Sequence, residues 1–182
     1  MPIRVELLVE SSRGYGRNLL RGIAAYARTH GPWSIYQYER SLGDAVPNWL
    51  DRWHLDGVIA RIETKQWADE LLNRDVAIVD VRARYQISGV PSIAPNDLSI
   101  VQLACEHLLS RGINQFAYCG FRDVNYSESR RDFLITHLAS LSLAPSIYES
   151  PHGLSIDTTD VETDGMLDET DLGRWLTGLT RK

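Results

Sequence analysis

The feature that most restricts what this chain can fold into is its opening. The run Ile3 to Glu10 (IRVELLVE) breaks at Ser11-Ser12-Arg13-Gly14-Tyr15-Gly16-Arg17 and passes into an amphipathic stretch that ends near His30. Ile3, Val5, Leu7, Leu8 and Val9 make a short apolar run whose length and β-branched content suit a strand buried on both faces of a parallel sheet. Leu19, Leu20, Ile23, Ala24 and Ala27 then recur at three- and four-residue spacing, which predicts one apolar side of a helix, and Gly31-Pro32 stops it. Strand, polar corner and helix in that order are the first half of a βαβ unit. In open α/β sheets ligands bind at the corner after a strand's carboxyl end, because neighbouring loops diverge there. Function is therefore expected in Ser11 to Arg17.

The alternation continues downstream. Trp33 to Tyr38 (WSIYQY) reads as a second strand, Pro47 to Trp53 as a short proline-opened helix, and Val58-Ile59-Ala60 as a third strand emerging at Arg61. Thr64 can cap a helix carrying Trp67, Leu71 and Leu72, and Val76 to Val81 (VAIVDV) is a fourth strand with Asp80 near its exit. After the polar loop Arg82 to Gly89, two prolines confine Pro91 to Pro95 to an edge strand. Asn96-Asp97 can cap a helix over Leu98 to Arg111, which Gly112 ends. Gln115 to Cys119 is a strand, Gly120 to Ser129 a polar loop, and Arg130 to Leu141 a helix with Phe133, Leu134, His137, Leu138 and Leu141 inward. Pro145 to Glu149 is a further strand. Ser150 to Asp171 reads as a solvated or partly disordered link without the oxygen spacing of a calcium loop, and Asp171 to Leu179 as a last helix with Leu172, Trp175, Leu176 and Leu179 inward. The pattern predicts an α/β fold with a doubly wound parallel sheet. Because it ends on a helix with no strand to follow, the chain is expected to be a piece of a longer protein.

With 182 residues, 43% of them hydrophobic, the chain can bury one good core or two small ones. A formal net charge of -5 gives it no electrostatic footprint for nucleic acid, so any DNA-reading part is expected elsewhere. No apolar stretch approaches the roughly 20 residues that cross a bilayer. Met1-Pro2-Ile3-Arg4 runs straight into a strand holding Glu6 and Glu10, so no signal peptide is read and a cytoplasmic location is expected. Cys105 and Cys119 read as small buried hydrophobes. His30, His54, His107, His137 and His152 are scattered, so neither a metal site nor a cofactor is expected.

The order of these pieces, with Tyr15-Gly16-Arg17-Asn18-Leu19-Leu20-Arg21-Gly22-Ile23-Ala24-Ala25-Tyr26 after the first strand, resembles the sugar-sensing domain of the lactose-repressor and galactose-repressor family. Within it the likeness is greatest to xylose-operon regulators, which start with this domain and carry an arabinose-regulator-type helix-turn-helix at the far end. Asp56-Gly57-Val58-Ile59-Ala60, Val76-Ala77-Ile78-Val79-Asp80, Asn96-Asp97, the segment His107 to Gly120 and Arg130-Arg131-Asp132-Phe133 continue the match. The resemblance implies a periplasmic-binding-protein-like fold of two doubly wound lobes with an effector sugar between them, and a homodimer. On that likeness Met1 to Gly112 is the N-terminal lobe and Ile113 to Lys182 part of the C-terminal one, with DNA contacted only through a domain outside this chain. An incomplete second lobe is expected to expose apolar surface.

A sugar needs planar polar groups that grip paired hydroxyls and an aromatic face over its C–H side. Ser11, Arg13 and Tyr15 leave the first strand at the crevice. Arg13 is either a hydroxyl contact or a solvated loop cation; Tyr15 either covers a sugar ring or packs over the first turn. Arg17 reads as structural, a family-like partner for a carboxylate such as Asp80. Arg61 exits the third strand towards the same cleft. Asp80 either accepts two hydroxyls or orients one of the arginines. Asn96 and Asp97 read first as helix caps, although Asp97 stays among the ligand candidates. Arg130 falls near the family's inward guanidinium, and Arg131 is its rival because adjacent helical residues point about 100° apart. Trp33, Trp49, Trp53, Trp67 and Trp175 read as packing.

The leading expectation is thus a module that binds a pentose or similar sugar, without catalysis, for a transcription regulator. An enzymatic alternative makes Gly14-Tyr15-Gly16-Arg17 a phosphate cradle and Asp80 an acid or base on a sugar or phosphorylated substrate, but the lysine-bearing phosphate loop and the dinucleotide fingerprint are missing. A transport-type sugar-binding protein is disfavoured by the unread signal peptide.

Overall fold

A computed structural model describes residues 1–12, 14–37, 54–150 and 161–179, the side chains of 161–168 excepted. Its elements are β1 (Ile3–Leu8), α1 (Gly14–Thr29), β2 (Trp33–Gln37), β3 (Gly57–Ala60), α2 (Lys65–Leu72), β4 (Ala77–Asp80), α3 (Asp97–Leu109), β5 (Phe116–Phe121), α4 (Asn125–Ser140), β6 (Pro145–Ser150) and α5 (Val161–Leu179). They fall into two compact units, Met1–Ala94 and Pro95–Lys182. The resemblance puts the change of lobe at Gly112 instead. The difference is α3, which packs against α4 and shares a core with β5, so it belongs to the second unit.

In the first unit four parallel strands lie in the order β2-β1-β3-β4. The chain leaves β1 to one side for β2 and returns to the other side for β3, so the loops after β1 and β3 diverge and open a crevice. Register sets the three right-hand strands level: Leu8 lies opposite Ala60, and Ala60 opposite Asp80. The residues that follow, Glu10, Arg61 and Arg82 among them, therefore leave the sheet at one edge. Beneath that edge Leu8, Val58, Ala60, Ile62, Ala68, Leu71 and Ile78 form the core. Full burial of a residue such as Leu71 contributes about 1.5–3 kcal/mol. The α2 helix starts where Thr64 Oγ1 accepts the Trp67 N–H at 3.2 Å.

The second unit pairs β5 with β6 in parallel and covers them with α3 and α4 around Val101, Cys105, Phe116, Leu134 and Leu138. Trp175 of α5 lies 5.4 Å from the Tyr148 ring of β6.

Several expectations need correction. Pro91 to Pro95 is no strand: a single bridge pairs Asp80 with Ser92, because the prolines flanking this segment have no N–H to extend the ladder. The polar residues 125–129 are the first turn of α4, not loop. Phe133 and Leu141 are exposed, and the helix's buried positions are Ser127, Leu134 and Leu138. Residues 161–171 are helical and not a link. Leu176 is exposed as well. Cys105 is buried but Cys119 is exposed, since alternation along β5 puts it on the face shared with exposed Ala117. The expected helix at Pro47–Trp53, with Trp49 and Trp53, lies outside the described residues, as do His152 and Arg13. Among the described residues no helix is long and apolar enough to cross a membrane, and no group of three or more His, Cys, Asp or Glu could hold a metal ion.

Candidate functional site

At the carboxyl edge of β1 and β3, charges that are far apart in sequence meet. Arg61 Nη1 donates to Glu10 Oε1 at 2.5 Å, across 51 residues of chain. On its other side Arg61 Nε lies 2.9 Å from Glu63 Oε1. Glu63 Oε2 in turn accepts from Arg82 Nε at 3.2 Å. Two carboxylates and two guanidiniums therefore alternate in one row, Glu10–Arg61–Glu63–Arg82, with side chains between 2% and 14% exposed. Removing one partner from such a row leaves a poorly solvated charge behind, so the four hold one another in place.

The row is not saturated. Arg61 and Glu63 are close enough to attract but misaligned for a hydrogen bond. Glu10 Oε2, Arg61 Nε and Glu63 Oε1 are all buried without a hydrogen-bond partner among the described residues. A buried polar atom left this way costs about 1–3 kcal/mol and calls for an explanation.

Tyr15, in the first turn of α1, faces this row. Its ring centre is 5.4 Å from Arg61 Cζ, a cation–π distance. The helix approaches β1 so closely here that a Cβ on Gly16 would sit 2.0 Å from the Glu10 carbonyl oxygen and 2.7 Å from Glu10 Oε1. Gly16 thus serves the approach of helix to carboxylate, and Glu10 occupies the space beneath the helix start where a phosphate cradle would need room.

The remaining candidates divide as follows. Arg17 is structural, but its partners are the carbonyls of Ser12 at 2.6 Å and Ser11 at 3.1 Å, not Asp80. It ties down the corner that carries Ser11. Asp80, 1% exposed, accepts the backbone N–H groups of Arg82 at 2.8 Å, Ala83 at 3.0 Å and Ile62 at 3.3 Å. It shapes the β4 turn instead of orienting an arginine. Beside it a hollow of about 530 Å³ is lined by Tyr85, Gln86, Ser88 and Ser92 among others, and the Tyr85 hydroxyl donates to the Glu63 carbonyl at 3.4 Å.

In the second unit Asn96 Oδ1 caps α3 by accepting the Ser99 N–H at 3.1 Å. Asp97 instead pairs with Arg130, whose Nε donates to Asp97 Oδ1 at 2.7 Å while its guanidinium lies 5.2 Å from the Tyr126 ring centre. Arg131 turns away to Asp132 and Glu149. The start of α4 is fixed by Ser127, which takes the Phe121 N–H on Oγ at 2.8 Å and the Tyr118 hydroxyl on its carbonyl at 2.7 Å. Burial pushes the Tyr118 phenol up from its ordinary value. The structure therefore brings Tyr15 and Arg61 together in the first unit, and Asp97 and Arg130 in the second.

Glu10, Glu63 and Arg82 belong to the row although the motifs did not single them out. A signal for Glu10 was present, namely a charge inside an otherwise apolar strand run. For Glu63 there was only its place two residues after Arg61.

The family described as the XylR N-terminal domain matches residues 4–95, half of the chain and nearly all of the first unit. The chain belongs to this family. Over 124 residues it is 32% identical to the xylose operon regulatory protein of Escherichia coli strain K12, an alignment that covers 64% of this chain and 31% of that protein. The chain thus spans about a third of the length of that relative. Among solved structures, one titled as the xylose-binding transcription activator xylR superposes with a TM-score of 0.72 at 22% identity, over 98% of this chain and 44% of the other. A periplasmic binding protein/LacI transcriptional regulator from Alkaliphilus metalliredigens QYMF, complexed with D-xylulofuranose, gives 0.59 at 17% identity, over 84% and 58%. The family membership and the periplasmic-binding-protein-like fold expected from the sequence both hold. The site row from Glu10 to Arg82 lies wholly within the stretch that the family covers.

Proposed function

We propose that this chain is the effector-sensing part of a sugar-responsive transcription regulator, with D-xylose as its first candidate ligand. The observation that carries the reading is the pairing of the Tyr15 ring with a guanidinium that two carboxylates hold at the β1/β3 crevice. An aromatic face covers the C–H side of a sugar, and the charged row beside it offers donors and acceptors to its hydroxyls. Relatives named for the xylose operon support the choice of pentose. Ser11, Arg13, Tyr15 and Arg61 are read as the contacts of the first unit, and Asp97 and Arg130 as those of the second. Arg17 and Asp80 hold the loops in place.

Binding without catalysis, a homodimer, a cytoplasmic location and DNA contact through a domain outside this chain complete the reading. Calorimetric titration with D-xylose, L-arabinose, D-ribose and D-glucose tests it. One pentose is expected to bind, and Arg61→Ala to weaken it at least tenfold, the loss of about 1.4 kcal/mol. Binding of none of the four, or oxidation of any of them in a dehydrogenase screen, would sink the reading.

A further inference from the structure

Resting on that reading, we propose that Glu10 and Glu63 act as a two-sided clamp on Arg61 that makes this site refuse anionic sugars: it accepts hydroxyls and excludes sugar acids and sugar phosphates. An arginine beside an aromatic ring would by itself attract a carboxylate or phosphate, since a guanidinium matches both bidentately. Here the Arg61 charge is already answered on both sides, by Glu10 at Nη1 and by Glu63 beside Nε. Arg82 balances the second carboxylate, so the row of four carries no net charge.

The hydrogen-bonding pattern points the same way. A carboxylate oxygen flanks the guanidinium on each side, Glu10 Oε1 at Nη1 and Glu63 Oε1 2.9 Å from Nε. A sugar hydroxyl both donates and accepts and brings no charge, so it can approach this edge without repulsion. A carboxylate at neutral pH only accepts, and a carboxylate or phosphate would set its charge against those of Glu10 and Glu63. Glu10, 4% exposed and locked beneath Gly16, is the rigid side of the clamp; Glu63, with 12% of its side chain exposed, is the more open side. Both are positioning and specificity-determining residues.

The test is calorimetry of this chain with D-xylose and D-xylonate, on the unaltered protein and on Glu63→Gln and Glu10→Gln. The unaltered protein is expected to prefer D-xylose at least tenfold. Each variant removes one negative charge and keeps the shape, so the preference should narrow by about tenfold, which is modest for unit charges some 4 Å apart near a protein surface. A lost hydrogen bond alone would weaken both ligands alike and leave the ratio unmoved. Circular dichroism checks that Glu10→Gln folds, and Glu63→Gln, at the more exposed position, carries the test if it does not. A protein that binds D-xylonate as tightly as D-xylose, or variants that bind D-xylose with an unchanged ratio, would overturn the clamp while leaving the sugar-sensing function standing. Binding of neither ligand would instead remove the function on which the clamp rests.

Discussion

Asp80 is 1% exposed, and its carboxylate accepts three backbone N–H groups from the segments that follow β3 and β4. One of those donors belongs to Ala83, whose φ of 50° places it in the left-handed region. The carboxylate therefore holds a turn that the backbone alone would resist. Asp80→Ala leaves those donors without their acceptor and should destabilise the first unit by about 3 kcal/mol, while Asp80→Asn, which keeps one oxygen, should cost about 1 kcal/mol. Urea unfolding followed by tryptophan fluorescence measures both, and an alanine variant within about 0.5 kcal/mol of the unaltered protein would contradict this role. That Tyr15 and Arg61 come to one edge was legible because each follows a strand at the crevice. Their charged companions were not. Glu10 and Arg61 lie 51 residues apart, and no spacing rule links a carboxylate to a guanidinium over that distance.

Two helices of the second unit end in the same way by different means. In α3 the Ile113 N–H reaches back to the Leu108 carbonyl at 3.2 Å, with Gly112 at φ 76°. In α4 the Leu143 N–H reaches the Leu138 carbonyl at 2.9 Å, with Ser142 at φ 59°. Both are left-handed helix stops closed by a six-residue hydrogen bond, and Leu108 and Leu143 pack on the core below. Glycine enters this conformation without penalty, whereas a residue with a Cβ is strained by about 1–2 kcal/mol. Ser142→Gly should therefore raise stability by roughly 0.5–1 kcal/mol, and Gly112→Ala should lower it by about 1 kcal/mol. Opposite shifts in thermal midpoint are the expected result; shifts of the same sign would disprove the shared mechanism. The stop at Gly112 was visible in the sequence because glycine marks it. The start of α4 was not, since Val124 supplies no side-chain cap and the first turn, Asn125-Tyr126-Ser127-Glu128, is polar.

At the scale of the whole molecule the charge argument is the simplest. The formal net charge of -5 opposes the counterion release that drives association with a nucleic acid backbone. Fluorescence anisotropy of a labelled DNA duplex should show no binding by this chain at about 0.1 M salt, where the Debye length is about 10 Å. Salt-sensitive binding there would place a DNA-reading surface within the chain and contradict the proposal that it lies outside.

The sequence by itself determined the order and kind of most of the described elements, because burial is written locally: a two-residue alternation or a 3.6-residue stripe records which side of a strand or helix faces the core. It also determined that the polar corner after β1 would border the crevice. Only the tertiary structure decided which charges share that corner. The register that levels Leu8 with Ala60 and Asp80 brings Glu10, Arg61 and Glu63 to one edge, and register follows from packing the whole sheet on its core. It likewise decided that α3 belongs with α4 and β5, a choice made by the shared burial of Val101, Cys105, Phe116 and Leu134, which lie on three separate elements.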